Sequence, residues 1–174
     1  CTMSHDASNE KLSTRAVTAG RPPRAGDSAL NTPISLNSTF TAGGPIGYGR
    51  YGNDTWSATE SAISALEGGR SLIFSSGMAA ITAAFSILPW GARIVASHQG
   101  YSGVMTLLKQ FGESGRLKVV LVDVANTEEV LAALPGADLL WLESPTNPCL
   151  DVAELPQLIS AAKAAKIMVM VDNT

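Results

Sequence analysis

Residues 118–142 read KVVLVDVANTEEVLAALPGADLLWL, and their pattern decides the fold. Lys118–Val122 is an apolar run that does not alternate with polar residues, as expected of a strand covered on both faces. Asn126 then offers a side-chain oxygen to open a helix that runs through Leu134 and stops at Pro135-Gly136. Leu139–Leu142 is a second apolar run. A strand, a helix and a strand in this order form one unit of an open parallel sheet with right-handed crossovers.

The same alternation extends both ways. C-terminally, Ala153–Ala165 is a predicted helix and Ile167–Val171 a further non-alternating strand. N-terminally the pattern predicts a strand at Arg93–Ala96 and a helix over Gly103–Phe111. It also predicts an Ala-rich helix over Met78–Leu88, closed by Pro89, and a short strand at Ser71–Phe74. Thr55–Glu67 is a helix with Asp54 or Thr55 as cap and Gly68-Gly69 as stop. Residues 1–54 differ, with Gly/Pro clusters and one short helix near Lys11–Ala19. They read as an extended arm that packs on another subunit. The expected architecture is α/β: an arm over 1–54, then a mostly parallel open sheet with flanking helices over 55–174.

Composition bounds the rest. The chain has 174 residues, 45% hydrophobic and 16% charged, with net charge −3, which is globular rather than disordered and lacks the basic surplus of a nucleic-acid binder. The two cysteines, Cys1 and Cys149, form no CxxC pair, and the two histidines, His5 and His98, are too few for a His-based metal site. No apolar run reaches the roughly 18 residues of a transmembrane helix, and the first ten residues have no signal-peptide core. The expectation is a cytoplasmic protein without membrane or nucleic-acid partners.

In open parallel sheets, ligands bind at the carboxyl ends of the strands. Ser75-Ser76-Gly77-Met78 follows the first expected strand and opens a helix, where amides and the helix dipole favour a phosphate; the alternative is an ordinary cap. Ser97-His98-Gln99-Gly100-Tyr101 follows the second. Tyr101 can stack on a planar ligand or be a surface tyrosine, and His98 is a general base or a satisfied loop histidine. Asp123 and Glu143 end the next strands, as catalytic acids or simple caps. Asn147 lies in Pro145-Thr146-Asn147-Pro148, a rigid turn that fixes an amide in space, and Cys149 reads as a small buried residue. Asp172 ends the last strand, where a carboxylate requires a partner such as a cationic ring nitrogen or a structural ion pair.

Gly47-Tyr48-Gly49-Arg50-Tyr51-Gly52 matches G-x-G-x-x-G, but the residues before it make a poor strand, so the dinucleotide reading is weak. Arg50 is the more useful residue: a fixed cation with two-pronged phosphate geometry, close in sequence to the Tyr48 hydroxyl.

From about Thr14 to Thr174 the chain resembles the Cys/Met-metabolism pyridoxal-phosphate (PLP) enzymes, the cystathionine γ-synthase and γ-lyase group of fold-type I. The resemblance rests on seven short motifs in order. They are Pro33-Ile34 with Ser38-Thr39-Phe40, Tyr48-Gly49-Arg50, Leu66-Glu67-Gly68-Gly69, Ser75-Ser76-Gly77-Met78-Ala79-Ala80, Tyr101, Glu143 to Pro148, and Val171-Asp172-Asn173-Thr174. It implies that Gly77 and Met78 amides hold the cofactor phosphate, with Ser76 and Thr174 also at the cofactor. It implies that Tyr48 and Arg50 reach the phosphate of a neighbouring subunit in a dimer of dimers. Tyr101 would stack on the ring and, with Tyr48, assist proton transfer; Asn147 would lie near the ring's 3-oxygen, and Asp172 would pair with the pyridine nitrogen.

Three departures qualify the resemblance. Asn53-Asp54-Thr55 stands where the family usually has Asn-Pro-Thr. Gly103 stands where methionine γ-lyases often carry a cysteine. The Schiff-base lysine, which the family places in a Ser-x-Thr-Lys context beyond Asp-Asn-Thr, has no counterpart among Lys11, Lys109, Lys118, Lys163 and Lys166. The expectation is therefore the N-terminal part of a longer carbon–sulfur lyase or γ-replacement enzyme acting on an amino acid. Methionine γ-lyase and cystathionine β-lyase are the near alternatives. A nicotinamide oxidoreductase or a non-catalytic fragment is more distant.

Overall fold

The computed structural model describes residues 10–174, so Cys1, His5 and the start of the arm lie outside the described residues. The chain divides into two compact units, one up to Ser75 and one from Ser76 onward. This division falls later than residue 54, because the helix after the arm packs on the arm's own helix.

The first unit holds α1 (Leu12–Thr18) and α2 (Asp54–Glu67). Arg15 ties them together by donating to the Ala65 carbonyl at 3.1 Å. Asn53, rather than Asp54 or Thr55, caps α2: its side chain accepts from the Thr55 N–H at 2.9 Å. Gly68 ends α2 at φ 73°, the left-handed conformation that glycine adopts freely. Ser71–Phe74 forms no strand, contrary to the apolar pattern. A strand needs a neighbour to bond; here the Ser71 N–H goes to Ser64 Oγ and the Ile73 N–H to Glu60 Oε1, both on α2.

The second unit contains β1 (Ala92–Ser97), β2 (Leu117–Val122), β3 (Leu139–Glu143) and β4 (Met168–Asp172). All pair in parallel, in the order β2-β1-β3-β4. The four strands lie within two residues of the apolar runs. The helices α3 (Gly77–Ser86), α4 (Ser102–Glu113), α5 (Thr127–Ala133) and α6 (Leu155–Ala164) connect and cover them.

Two cores explain why the strands do not alternate. Ile94, Ala96, Leu139 and Trp141 face Ile81, Phe85, Val104 and Leu108 of α3 and α4. Val95, Leu140 and Leu142 face Val130, Leu158 and Ala162 of α5 and α6. Successive strand residues thus serve opposite cores, and both faces need apolar side chains. Phe85 and Trp141 meet edge to face, with ring centroids 4.9 Å apart and planes at 78°.

Candidate active site

The strand order places a topological switch between β1 and β3: the chain leaves β1 for β2 on one side and returns to β3 on the other. The loops after β1 and β3 must part there, opening a crevice at their carboxyl ends. A cavity of about 650 Å³ occupies that end of the sheet. Of the expected site residues, it gathers Ser76, Gly77, Met78, Tyr101, Asn147, Asp172 and Thr174. All the described residues lining it belong to the second unit; Tyr48 and Arg50 lie in the first.

One wall is a hydrogen-bond donor. Ser76 caps α3, its Oγ accepting from the Ala79 N–H at 3.1 Å, and the first turn closes from Ala80 N–H to the Ser76 carbonyl at 3.1 Å. The Gly77 and Met78 amides precede that bond, so the helix leaves them for an external acceptor. A Cβ built on Gly77 meets nothing within 4 Å, so the position borders open space that a ligand can fill.

The opposing chemistry is acidic. Asp172 ends β4 directly beside Glu143 at the end of β3 in the parallel register. Asp172 Oδ1 accepts both the Thr174 N–H at 3.0 Å and the Thr174 hydroxyl at 2.6 Å. Thr174 thereby fixes the carboxylate's orientation, and among the described residues no hydrogen bond takes up its other oxygen. Burial pushes the Glu143 carboxyl above its usual range, the Tyr101 amide pulls it down, and the negative charge of Asp172 raises it further. No ion pair reaches either carboxylate among the described residues. With no cation beside it among the described residues, the Asp172 carboxylate makes this end of the cavity favourable to a positive group.

Between the two walls stand an aromatic ring and an amide. Tyr101, 46% exposed, begins α4, and its N–H donates to Glu143 Oε2 at 2.9 Å. Asn147 sits on a loop pinned from beneath by buried Thr146. The Thr146 N–H donates to the Asp151 carbonyl at 2.9 Å, and the Thr146 hydroxyl accepts the Asp151 N–H at 3.0 Å. Ser144 Oγ accepts the Ala153 N–H at 3.0 Å and closes the loop's base. Sequence reasoning weighed Glu143 only as an acid or a cap and did not single out Thr146. Both roles depend on contacts between segments that no local pattern announces.

In the first unit, Arg50 donates to the Tyr48 hydroxyl at 3.3 Å and lies 5.2 Å from its ring centroid. The glycines around them serve a backbone pairing and not a dinucleotide loop. Tyr48 bridges Thr39 in antiparallel fashion, and a Cβ on Gly49 would lie 3.0 Å from Ser38 Cα. His98 is a satisfied loop residue: Nδ1 lies 2.9 Å from the Val122 carbonyl and Nε2 3.2 Å from Gln99 Nε2. Asp123 caps a turn, accepting the Ala125 N–H at 2.9 Å. Cys149 is exposed and not buried, because it sits in a run of exposed loop residues from Asn147 to Leu150. The described residues contain no cluster of three metal-ligating side chains and no helix long and apolar enough to cross a membrane.

The chain is similar in sequence and fold to known enzymes named for cystathionine. Cystathionine beta-lyase, chloroplastic, from Arabidopsis thaliana is 36% identical, over 84% of this chain and 33% of its own. Cystathionine gamma-lyase from Bos taurus is 33% identical, over 95% of this chain and 43% of its own. The crystal structure of cystathionine gamma synthase from Xanthomonas oryzae pv. oryzae in complex with cystathionine superposes with a TM-score of 0.86 at 31% identity. It covers 94% of this chain and 44% of that one. The chain therefore spans less than half the length of these relatives. The family model for Cys/Met metabolism PLP-dependent enzymes matches residues 13–174, and with the fold and the strand-end cavity in agreement the chain belongs to that family.

Proposed function

We propose that this chain builds the cofactor cradle of a PLP-dependent carbon–sulfur lyase or γ-replacement enzyme of the cystathionine γ-lyase/γ-synthase type. The carrying observation is the polarity of the cavity: helix amides left unbonded by the first turn on one wall, the Asp172 carboxylate with no cation partner among the described residues at the strand ends, and an aromatic ring between them. A planar ligand with a phosphate at one end and a protonated ring nitrogen at the other satisfies all three. When bound, pyridoxal phosphate supplies an electron sink for charge developing at the α-carbon of an amino acid.

The chain's own groups then divide the work. The Gly77 and Met78 amides bind the phosphate, with Ser76 holding the turn in place. Asp172, oriented by Thr174, keeps a proton on the ring nitrogen. Tyr101 covers one face of the ring and assists proton movement with its hydroxyl. Asn147 directs its amide at the ring's 3-oxygen and the substrate carboxylate.

Tyr48 and Arg50 act on the phosphate held by a second copy of the chain, within a dimer of dimers. The mutual orientation of the Arg50 guanidinium and Tyr48 hydroxyl on an exposed segment supports this. So do Leu30, Ile34 and Leu36, which stand 68%, 79% and 93% exposed in the same unit and gain a cover from a partner.

The full-length protein tests the reading. It is expected to retain pyridoxal phosphate through dialysis, with a visible absorbance that borohydride abolishes, and to consume cystathionine. γ-Elimination releases cysteine, 2-oxobutyrate and ammonia, whereas β-elimination releases homocysteine, pyruvate and ammonia, so the keto acid identifies the cleaved bond. Full-length protein that takes up no pyridoxal phosphate would overturn the reading.

A further inference from the structure

Glu143 is an expensive residue to keep where it is. It is 7% exposed, stands beside Asp172 in the sheet register, and has no cation partner among the described residues. A carboxylate in that setting costs desolvation and repulsion that an uncharged side chain avoids. Among the described residues what it gains is one bond: Oε2 accepts the Tyr101 N–H at 2.9 Å, joining β3 to the residue that caps α4.

Tyr101 is the residue at which the loop becomes a helix, with φ −51° and ψ 129°. Holding its amide fixes the backbone from which the ring departs. The neighbouring glycines complete the arrangement. A Cβ on Gly100 would lie 2.7 Å from the same Glu143 Oε2, so the bare position admits the carboxylate. A Cβ on Gly103 would lie 2.7 Å from Tyr101 Cε1 and 2.9 Å from Met78 Sδ, so the ring occupies the room that glycine leaves. Tyr101 is thus gripped at its amide and seated at its ring edge, and the two contacts come from different segments.

We propose that Glu143 is a positioning residue: its carboxylate holds the Tyr101 amide so that the ring stands over the cavity, and Gly100 is kept bare to admit that carboxylate. The inference deepens the cofactor reading above and rests on it for the ring's task, but not for the ring's placement.

Two measurements on the full-length protein decide it. In the first, 3-fluorotyrosine is placed at position 101 and its fluorine resonance is followed without cofactor. Glu143→Ala and Gly100→Ala are each expected to move the resonance. Glu143→Gln, whose amide oxygen still accepts the N–H, is expected to leave it near the wild-type position. In the second, pyridoxal-phosphate affinity is measured by titration of the cofactor-free protein. Glu143→Ala is expected to weaken it about tenfold, as loss of a hydrogen bond to a charged group implies. In a Tyr101→Ala background the same change should cost less than about twofold, because the effect passes through the ring.

A resonance that stays put in Glu143→Ala and Gly100→Ala overturns the proposal. So does equal loss in Glu143→Gln and Glu143→Ala, or an undiminished loss in the Tyr101→Ala background. If Glu143→Ala does not fold, Gly100→Ala and Glu143→Gln carry both measurements. Wild-type protein that binds no pyridoxal phosphate removes the cofactor reading, while the fluorine resonance still decides whether Glu143 places the ring.

Discussion

The two units solve the problem of apolar surface in opposite ways. In the second, Phe85, Ile94, Leu140 and Leu158 are each 0% exposed, and every strand serves two cores. In the first, neither helix buries a single residue, and the buried positions among residues 10–75 are Gly49, Gly52 and Asn53. Apolar side chains are present there, but Leu36 stands 93% exposed and Ile34 79%. The second unit is organised around two cores of its own, although Trp90, Leu150 and Val152 are exposed on it, and the first has no such core among its described residues. Chemistry follows the same division. The cavity with opposed donors and acid belongs to the unit with the buried cores, while the Tyr48–Arg50 pair lies in the other.

Substitutions of equal chemistry should therefore have unequal consequences. The largest effect is expected from Leu158→Ala, which empties a fully buried site in the second unit. It should lower stability by about 3–5 kcal/mol in denaturant unfolding. Leu36→Ala should stay within about 0.5 kcal/mol for the monomer, but should weaken self-association in light-scattering or sedimentation measurements. Equal losses would erase the contrast between the units.

Next in size is Asp172→Ala. Removing a charge-assisted hydrogen bond to a ring nitrogen should weaken pyridoxal-phosphate binding by about 10- to 100-fold in equilibrium titration. Arg50→Ala, at the residue proposed to reach the phosphate held by a second copy of the chain, should weaken it about tenfold or less.

The helix caps give a smaller and symmetrical test. Asn53 and Ser76 each accept an amide of the helix they begin, one in each unit. Asn53→Ala and Ser76→Ala should each cost about 1 kcal/mol in unfolding experiments, because capping is local and indifferent to the core behind it. Ser76→Ala alone should also change phosphate affinity.

The last expectation concerns pH. Glu143 is raised above its unfolded value, by burial first and by Asp172 as well, against the pull of the Tyr101 amide. A raised carboxyl favours the folded state while protonated, and that contribution is lost as pH rises through its folded value. In cofactor-free protein, Glu143→Gln should thus gain stability relative to wild type as pH goes from the acid range toward neutrality, by thermal unfolding across that window. A constant difference would mean that the carboxyl titrates as it does in the unfolded chain.

Much of the second unit was legible because its signals are local. Lys118–Val122, Leu139–Leu142 and Ile167–Val171 announce strands with two covered faces by failing to alternate, and Asn126 and Pro135-Gly136 punctuate the helix between them. The strand-end rule then drew Ser76, Tyr101, Asn147 and Asp172 toward one place, and they share one cavity.

What could not be read depends on partners distant in sequence. Leu72-Ile73-Phe74 has strand composition, but a strand exists only where a neighbour bonds it. Cys149 looked internal by residue type, yet it falls in the exposed stretch Asn147–Leu150, while the loop's buried members are Ser144 and Thr146. Glu143 reaches Tyr101 across 42 positions, and nothing near either residue foretells that bond. Thr174, counted with the cofactor-binding positions, spends both its N–H and its hydroxyl on Asp172.

The helix amides and the Asp172 carboxylate of the second unit are proposed to receive opposite ends of one ligand. A crystal structure of the full-length protein with pyridoxal phosphate tests this most directly. The phosphate is expected at the Gly77 and Met78 amides and the ring nitrogen at the Asp172 oxygen that Thr174 does not hold, with the Tyr101 ring along its face. A cofactor seated away from this cavity, or turned so that its phosphate meets Asp172, would contradict it.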